Sequence, residues 1–225
     1  MVLRACCADV RRALVILALL AVGAGSAAAA VQDREQHAFT AADQAAARSA
    51  VLKKTDFGAG WTGGAKKPDL SPPQACAGYD PKQSDLVLTG AAESQWKHAG
   101  LELDTEAQVL KTTAMVKLDW QRTVVDPRAM ACLKTQLQKR FHGSVEFVSF
   151  RRVAFPHVGT YSRAYVTLLD VTSSKGTFRV ASEDVLVGSK RTELTLTSTT
   201  ALSAQAAVQT VDVRLAKILL ARAKA

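Results

Sequence analysis

Between residues 144 and 199 the chain divides into four runs, 144–155, 160–171, 177–187 and 192–199, rich in Val, Thr, Leu, Phe and Tyr and separated only by short turn-forming stretches. The separators are Pro156-His157-Val158-Gly159, Ser173-Ser174-Lys175-Gly176 and Gly188-Ser189-Lys190. Adjacent parallel strands need a crossover of about a dozen residues or more, so links this short favour antiparallel hairpins. A helix follows from Ser203, in which Val208, Val211, Leu215, Ile218 and Leu219 recur on one face at helical spacing. The C-terminal part therefore reads as a four-stranded meander closed by a terminal helix.

Upstream, the pattern changes period. Thr40 offers a capping hydroxyl and Asp43 an acidic side chain three residues on, so a helix is expected over 40–54, ended by the glycine-rich stretch 55–64. Prolines 68, 72, 73 and 81 exclude regular helix or central strand from 66–81. Residues 86–92 alternate, and 101–110 continue as a second strand after the turn at 97–100. Thr112 caps a helix running to 124. Asp126-Pro127 is a cap followed by proline at the first helical position, so a further helix runs to 141 and stops at Gly143. Helix, two strands, two helices, four strands and a helix, segregated rather than alternating, predict an α+β fold. The expected architecture is an antiparallel sheet of about five to six strands covered by helices.

The first thirty residues stand apart from this pattern. Arg4, Arg11 and Arg12 precede the apolar run 13–22, followed by Gly23, Gly25, Ser26 and alanines 27–30, the order of a secretory signal. Its uninterrupted apolar core is about ten residues, half of the roughly 20 that span a bilayer. The expected organisation is a signal peptide over 1–30 cleaved near Ala30, a flexible lead-in over 31–39, and a single extracytoplasmic domain over 40–225. Of the formal net charge of +9, three arginines and one aspartate place +2 in the first thirty residues and leave +7 on the rest. A basic domain associates weakly with anionic surfaces, but charge of this size governs encounter rather than function.

Few residues carry a chemical signature. After signal removal Cys76 and Cys132 are the remaining cysteines, and an even count in an exported chain reads as a disulfide fastening the proline-rich loop to the helix at Pro127. A redox pair is unsupported without a Cys-x-x-Cys spacing. His37, His98, His142 and His157 are scattered, with no zinc-binding helix or nucleophile elbow near them, so no metal site or catalytic residue is assigned and no cofactor is expected. Glu102, Asp104 and Glu106 lie at period 2 and project from one strand face, where separated carboxylates could serve a hydrolase. Lys175-Gly-Thr-Phe-Arg-Val180 has the aromatic positions of an RNA-binding strand in the wrong places, and nucleic acid is not an expected partner. Trp61, Trp96 and Trp120 read as packing residues. Lys139 and Arg140 close one helix just before Arg151 and Arg152 on the next strand, a basic edge.

Thr55-Asp-Phe-Gly-Ala-Gly-Trp61, Cys76 with Ser84-Asp-Leu86, Thr89-Gly-Ala-Ala-Glu-Ser94 and Ala131-Cys-Leu133 resemble phrases of uncharacterised secreted actinobacterial proteins over most of 45–220. More distantly, the element order is similar to the extracytoplasmic sensor domains of mycobacterial serine/threonine kinases. That resemblance implies a helix-backed antiparallel sheet with a ligand cleft. Residues 31–225 depart from it in having one cysteine pair, and no kinase sequence lies within the 225 residues. The favoured function is a non-enzymatic extracytoplasmic binding or sensor-like module for an unknown small molecule or envelope component. Its alternatives are a cell-envelope hydrolase using Glu102 and Asp104, or a wall-associated structural protein.

Overall fold

Each helix start expected upstream is built as a capped N-terminus. In a computed structural model of the chain, which describes residues 33–71 and 75–223, Thr40 Oγ1 accepts from the Asp43 amide at 3.1 Å, Thr112 Oγ1 from the Met115 amide at 3.2 Å, and Asp126 from the Arg128 amide at 2.9 Å. Each satisfies an N–H that the first helical turn leaves without an internal partner. The resulting helices are α1 (Ala41–Ser49), α2 (Thr113–Asp119) and α3 (Pro127–Arg140), with α4 (Gln205–Arg222) near the C-terminus. A π-helical turn, Trp120–Val125, continues α2 up to the cap of α3. The signal expected over 1–30 lies outside the described residues, and no helix among those described is long and apolar enough to cross a membrane.

Eight strands form one sheet. They are β1 (Gln36–His37), β2 (Thr62–Lys66), β3 (Val87–His98), β4 (Leu101–Leu110), β5 (Val145–Val153), β6 (Tyr161–Ser173), β7 (Gly176–Ser189) and β8 (Thr192–Ala201). The order across the sheet is β1-β3-β4-β8-β7-β6-β5, with β2 also on β3. All pairings are antiparallel except that of β1 with β3. The α+β class, the C-terminal meander β5–β8 and the terminal helix are thus present, in a sheet larger than the five to six strands expected. The excess is β1 and β2, which lie in the segments read as lead-in and glycine-rich loop. Both are short and polar or glycine-rich, and hold to β3 through backbone bonds, so no alternation of side chains announces them.

The pleat sends neighbouring residues to opposite faces. Val185, Val187, Ala164, Ala92 and Val109 pack with Leu52 and with Leu215 and Leu219 of α4, whereas Leu186, Tyr165, Ala91 and Leu110 face α2 and the π turn through Val116, Trp120 and Val124. The sheet is therefore covered on both sides, by α1 and α4 on one and by α2, the π turn and α3 on the other. Gly90 lets α1 sit directly on β3: a Cβ there would stand 2.3 Å from the Asp43 carbonyl oxygen. One expectation for α4 is corrected. Ile218 is 37 % exposed, and the buried face is instead Val208, Asp212, Leu215, Ala216 and Leu219, with Val211 packed at its margin. A carboxylate, Asp212, thus stands on the buried face of the helix.

Candidate functional site

Cys76 and Cys132 are disulfide-bonded with their Cα atoms 5.6 Å apart, within the range a disulfide requires. The bond ties the loop preceding β3 to the middle of α3, as the cysteine count predicts. Further ties fix that loop. Cys76 and Tyr79 exchange two backbone hydrogen bonds, 3.0 and 2.9 Å, around Gly78, whose φ of +77° is one that residues with a Cβ rarely adopt. Tyr79 Oη donates to the Arg122 carbonyl at 2.9 Å, and the Arg122 guanidinium grips both oxygens of Asp85 at 2.7 and 3.0 Å. Gln136 Nε2 lies 3.4 and 3.3 Å from the two sulfurs, weak acceptors for its amide.

Between the stapled loop, α3 and the start of β5 runs a groove of about 1180 Å³. Its described floor holds Leu133, Leu137 and Phe141, one helical turn apart in succession, with Val145, Ala75, Ala77 and the disulfide. Arg128 stands at one end, and Lys139, Arg140 and His142 at the other. No aspartate or glutamate is among the described lining residues. Arg128 is held by Asp126 through Nε and Nη2, so its charge is locally balanced. Lys139 and Arg140 form no ion pair among the described residues, and the Arg140 guanidinium lies over the Phe141 ring at 5.7 Å. A concave surface with an apolar floor, fixed by a covalent bond and bearing cations without counter-charge at one end, is suited to holding an anion joined to an apolar body.

The carboxylates gather elsewhere. Glu102, Asp104 and Glu106 do project from one face of β4, as their spacing predicts, but they are engaged there. Glu102 accepts from Gln95 Nε2 and pairs with Lys97, and Asp104 lies 3.7 Å from Lys66 Nζ. Glu106 faces Glu93 across the strands and accepts from Gln108 at 2.6 Å; burial first, and then the negative charge of Glu93, raises its pKa. Beyond it Asp119 of α2 meets Glu193 of β8. Burial holds both above the usual carboxylate range, and their mutual repulsion adds to the rise at Glu193. Glu35 is pushed up to about 7 by burial, then by Asp119 and Glu106. Raised carboxyl groups of this kind are an ordinary consequence of crowding like charges away from water, and neither Asp119 nor Glu193 lines the groove. Sequence reading missed Asp119 and Glu193 because they come from elements 74 positions apart.

The remaining candidates are dispersed. His37 stacks on Phe39 at 5.6 Å and His98 on Trp61 at 5.3 Å, whereas His142 lines the groove and His157 is exposed in the β5–β6 connection. No group of three or more His, Cys, Asp or Glu among the described residues is arranged to hold a metal ion. The tryptophans are packing residues: Trp96 is 5 % exposed and donates to the Leu52 carbonyl at 3.1 Å, Trp120 stacks on Tyr161, and Trp61 packs with Phe57. In the Lys175–Val180 phrase, Arg179 is spent on Asp170 at 2.8 Å and Phe178 packs beside Val171. Of the basic edge, Lys139 and Arg140 reach the groove while Arg151 and Arg152 stand exposed on β5, outside its lining. No protein-family model matches this chain, and no curated protein matches it either.

Proposed function

We propose that this protein is an exported, non-enzymatic ligand-binding module, and that the groove beside the stapled loop is its binding surface. The observation that carries the reading is the groove's composition: about 1180 Å³ bounded by apolar side chains and cations, with no carboxylate among its described lining residues. Glycoside hydrolysis ordinarily uses two carboxyl groups flanking one bond. The carboxylates considered for that role, Glu102 and Asp104, lie on the sheet face among Lys97, Gln95 and Lys66. The signal-like order of residues 1–30, the disulfide and the similarity to extracytoplasmic sensor domains support a location outside the cytoplasm, with cleavage near Ala30.

The test is a ligand screen by thermal shift on the oxidised protein, followed by hydrogen exchange with each hit. A ligand that binds the folded state alone raises the melting temperature with concentration. The expected result is slowed exchange in 75–79 and 128–142. Protection confined to the face of β4, together with turnover abolished by Glu102→Gln, would establish the hydrolase instead.

A further inference from the structure

Resting on the binding reading, we infer that the groove's ligand is a single-chain anionic amphiphile, its phosphate or carboxylate head at Lys139 and Arg140 and its acyl chain laid along α3 toward the disulfide. The polarity of the site carries this orientation. Arg128 and the pair Lys139/Arg140 mark the two ends of the groove, separated along α3 by about 18 Å at ~1.5 Å per residue. The first is neutralised in place by Asp126, which takes hydrogen bonds from both its Nε and Nη2. An anion arriving there would have to compete with a bidentate carboxylate.

At the other end the two cations have no carboxylate partner among the described residues, and the Arg140 guanidinium lies over the Phe141 ring. A guanidinium beside an ammonium suits anionic oxygens, since the first offers a planar fork and the second a compact charge. Between the ends the surface turns apolar. Leu137 and Leu133 follow Phe141 back along the helix, and Ala75, Ala77 and the disulfide continue the lining toward the stapled loop. From Arg140 to Cys132 this stripe extends about 12 Å at ~1.5 Å per residue, a path for a medium-length chain. Inorganic anions would leave that floor in contact with water, and neutral hydrocarbons would leave the cations uncompensated. A molecule carrying both properties fits both ends. The concave shape, walled by the stapled loop, favours a free amphiphile entering from solution over a flat membrane surface.

The experiment measures binding to the oxidised full chain by calorimetry, with dodecyl phosphate and dodecanoate as the anionic probes. Inorganic phosphate supplies the head without the chain, and dodecyl maltoside the chain without the charge. At least one anionic probe is expected to bind tenfold or more tighter than either control, and the relative affinity of the two identifies the head. Replacing both Lys139 and Arg140 by Ala should remove at least tenfold of that affinity and leave dodecyl maltoside unchanged, while Arg128→Ala should change it less than threefold. Lys139 and Arg140 are exposed, so this double variant retains its fold; Leu137→Asp, expected to abolish binding of every chain-bearing probe, is read only where its circular dichroism matches the parent.

Equal affinity for dodecyl maltoside and the anionic probes, with α3 protected from exchange, overturns the amphiphile assignment and leaves the binding module standing. Binding only to vesicles of anionic lipid, with none to the monomeric probes, overturns it in favour of a membrane surface. Anionic-probe binding that leaves 75–79 and 128–142 unprotected overturns the site and the inference together.

Discussion

Asp212 faces inward from α4, wholly buried, and Ser198 Oγ donates to it at 2.6 Å. Glu183, 1 % exposed, is the cross-strand partner of that serine and takes Gln205 Nε2 at 3.2 Å. Two carboxyl groups thus crowd one hydroxyl beneath the terminal helix. Asp212 Oδ1 and Glu183 Oε1 are buried without a hydrogen-bond partner among the described residues, and no cation is ion-paired with either. Burial first, and then the charge of Glu183, pushes the Asp212 pKa up to about 7. The folded protein therefore keeps a proton that the unfolded chain gives up near 4, and stability is lost as pH rises through that window to about 7. Asp212→Asn offers the serine the same acceptor and sets a permanent N–H toward Glu183. It should raise stability at pH 8 on the order of 1 to 3 kcal/mol, the cost of an unsatisfied buried group, and change it little at pH 4.5. Urea unfolding at both values checks this; equal destabilisation at each would show that the carboxylate is favourable as an anion.

At the scale of elements, α3 and the loop before β3 act as one unit because the disulfide joins residues 56 positions apart in sequence. A constraint of that size removes freedom mainly from the unfolded chain and stabilises by about 4 kcal/mol in the chain-entropy account. Replacing Cys76 and Cys132 together by Ser should lower the unfolding free energy by that order, read from urea transitions each extrapolated with its own slope, which steepens as the unfolded chain is released. A loss below about 1 kcal/mol would assign the loop's order to Arg122–Asp85 and Tyr79 instead. The staple and the helix caps were legible in the sequence because each is a local or countable signal: Thr112, Asp126-Pro127, and an even pair of cysteines. The groove was not, because its walls come from segments joined only by folding, and the spacing of Leu133, Leu137 and Phe141 looks the same on a core face. Ile218 shows the converse failure. Periodicity placed it inward, but the buried stripe of α4 runs through Val208, Asp212, Leu215 and Leu219, with Asp212 turned in to meet a specific serine.

For the whole molecule, charge is sorted by region in a way composition conceals. The net +9 coexists with a set of partly or wholly buried carboxyl groups, in which Glu35 is pushed to about 7, Asp184 to about 6 and Asp212 to about 7, with Asp119, Glu193 and Glu106 also raised; burial is the leading cause at each. Another set is lowered: Asp56, Asp85 and Asp170 first by hydrogen bonds from Arg222, Arg122 and Arg179, and Asp43 by Thr89 and Arg191 against a larger burial effect that pulls it up. The lowered carboxylates stabilise the fold above about 4 and lose that contribution as pH falls through their folded values. The raised ones hold extra protons in the fold, and their contribution is lost as pH climbs from about 4 to 7. Between these opposing slopes the fold is most stable in mild acid, with stability falling toward pH 7. Growing positive charge at low pH opposes this trend, but is screened over about 8 Å at 0.15 M salt. Thermal unfolding at that salt should therefore give a midpoint several degrees higher at pH 5 than at pH 8, with the fall concentrated between 5 and 7. A midpoint that instead rises steadily from pH 5 to 8 would show that these carboxyl groups ionise within the fold at little cost, and would overturn the prediction.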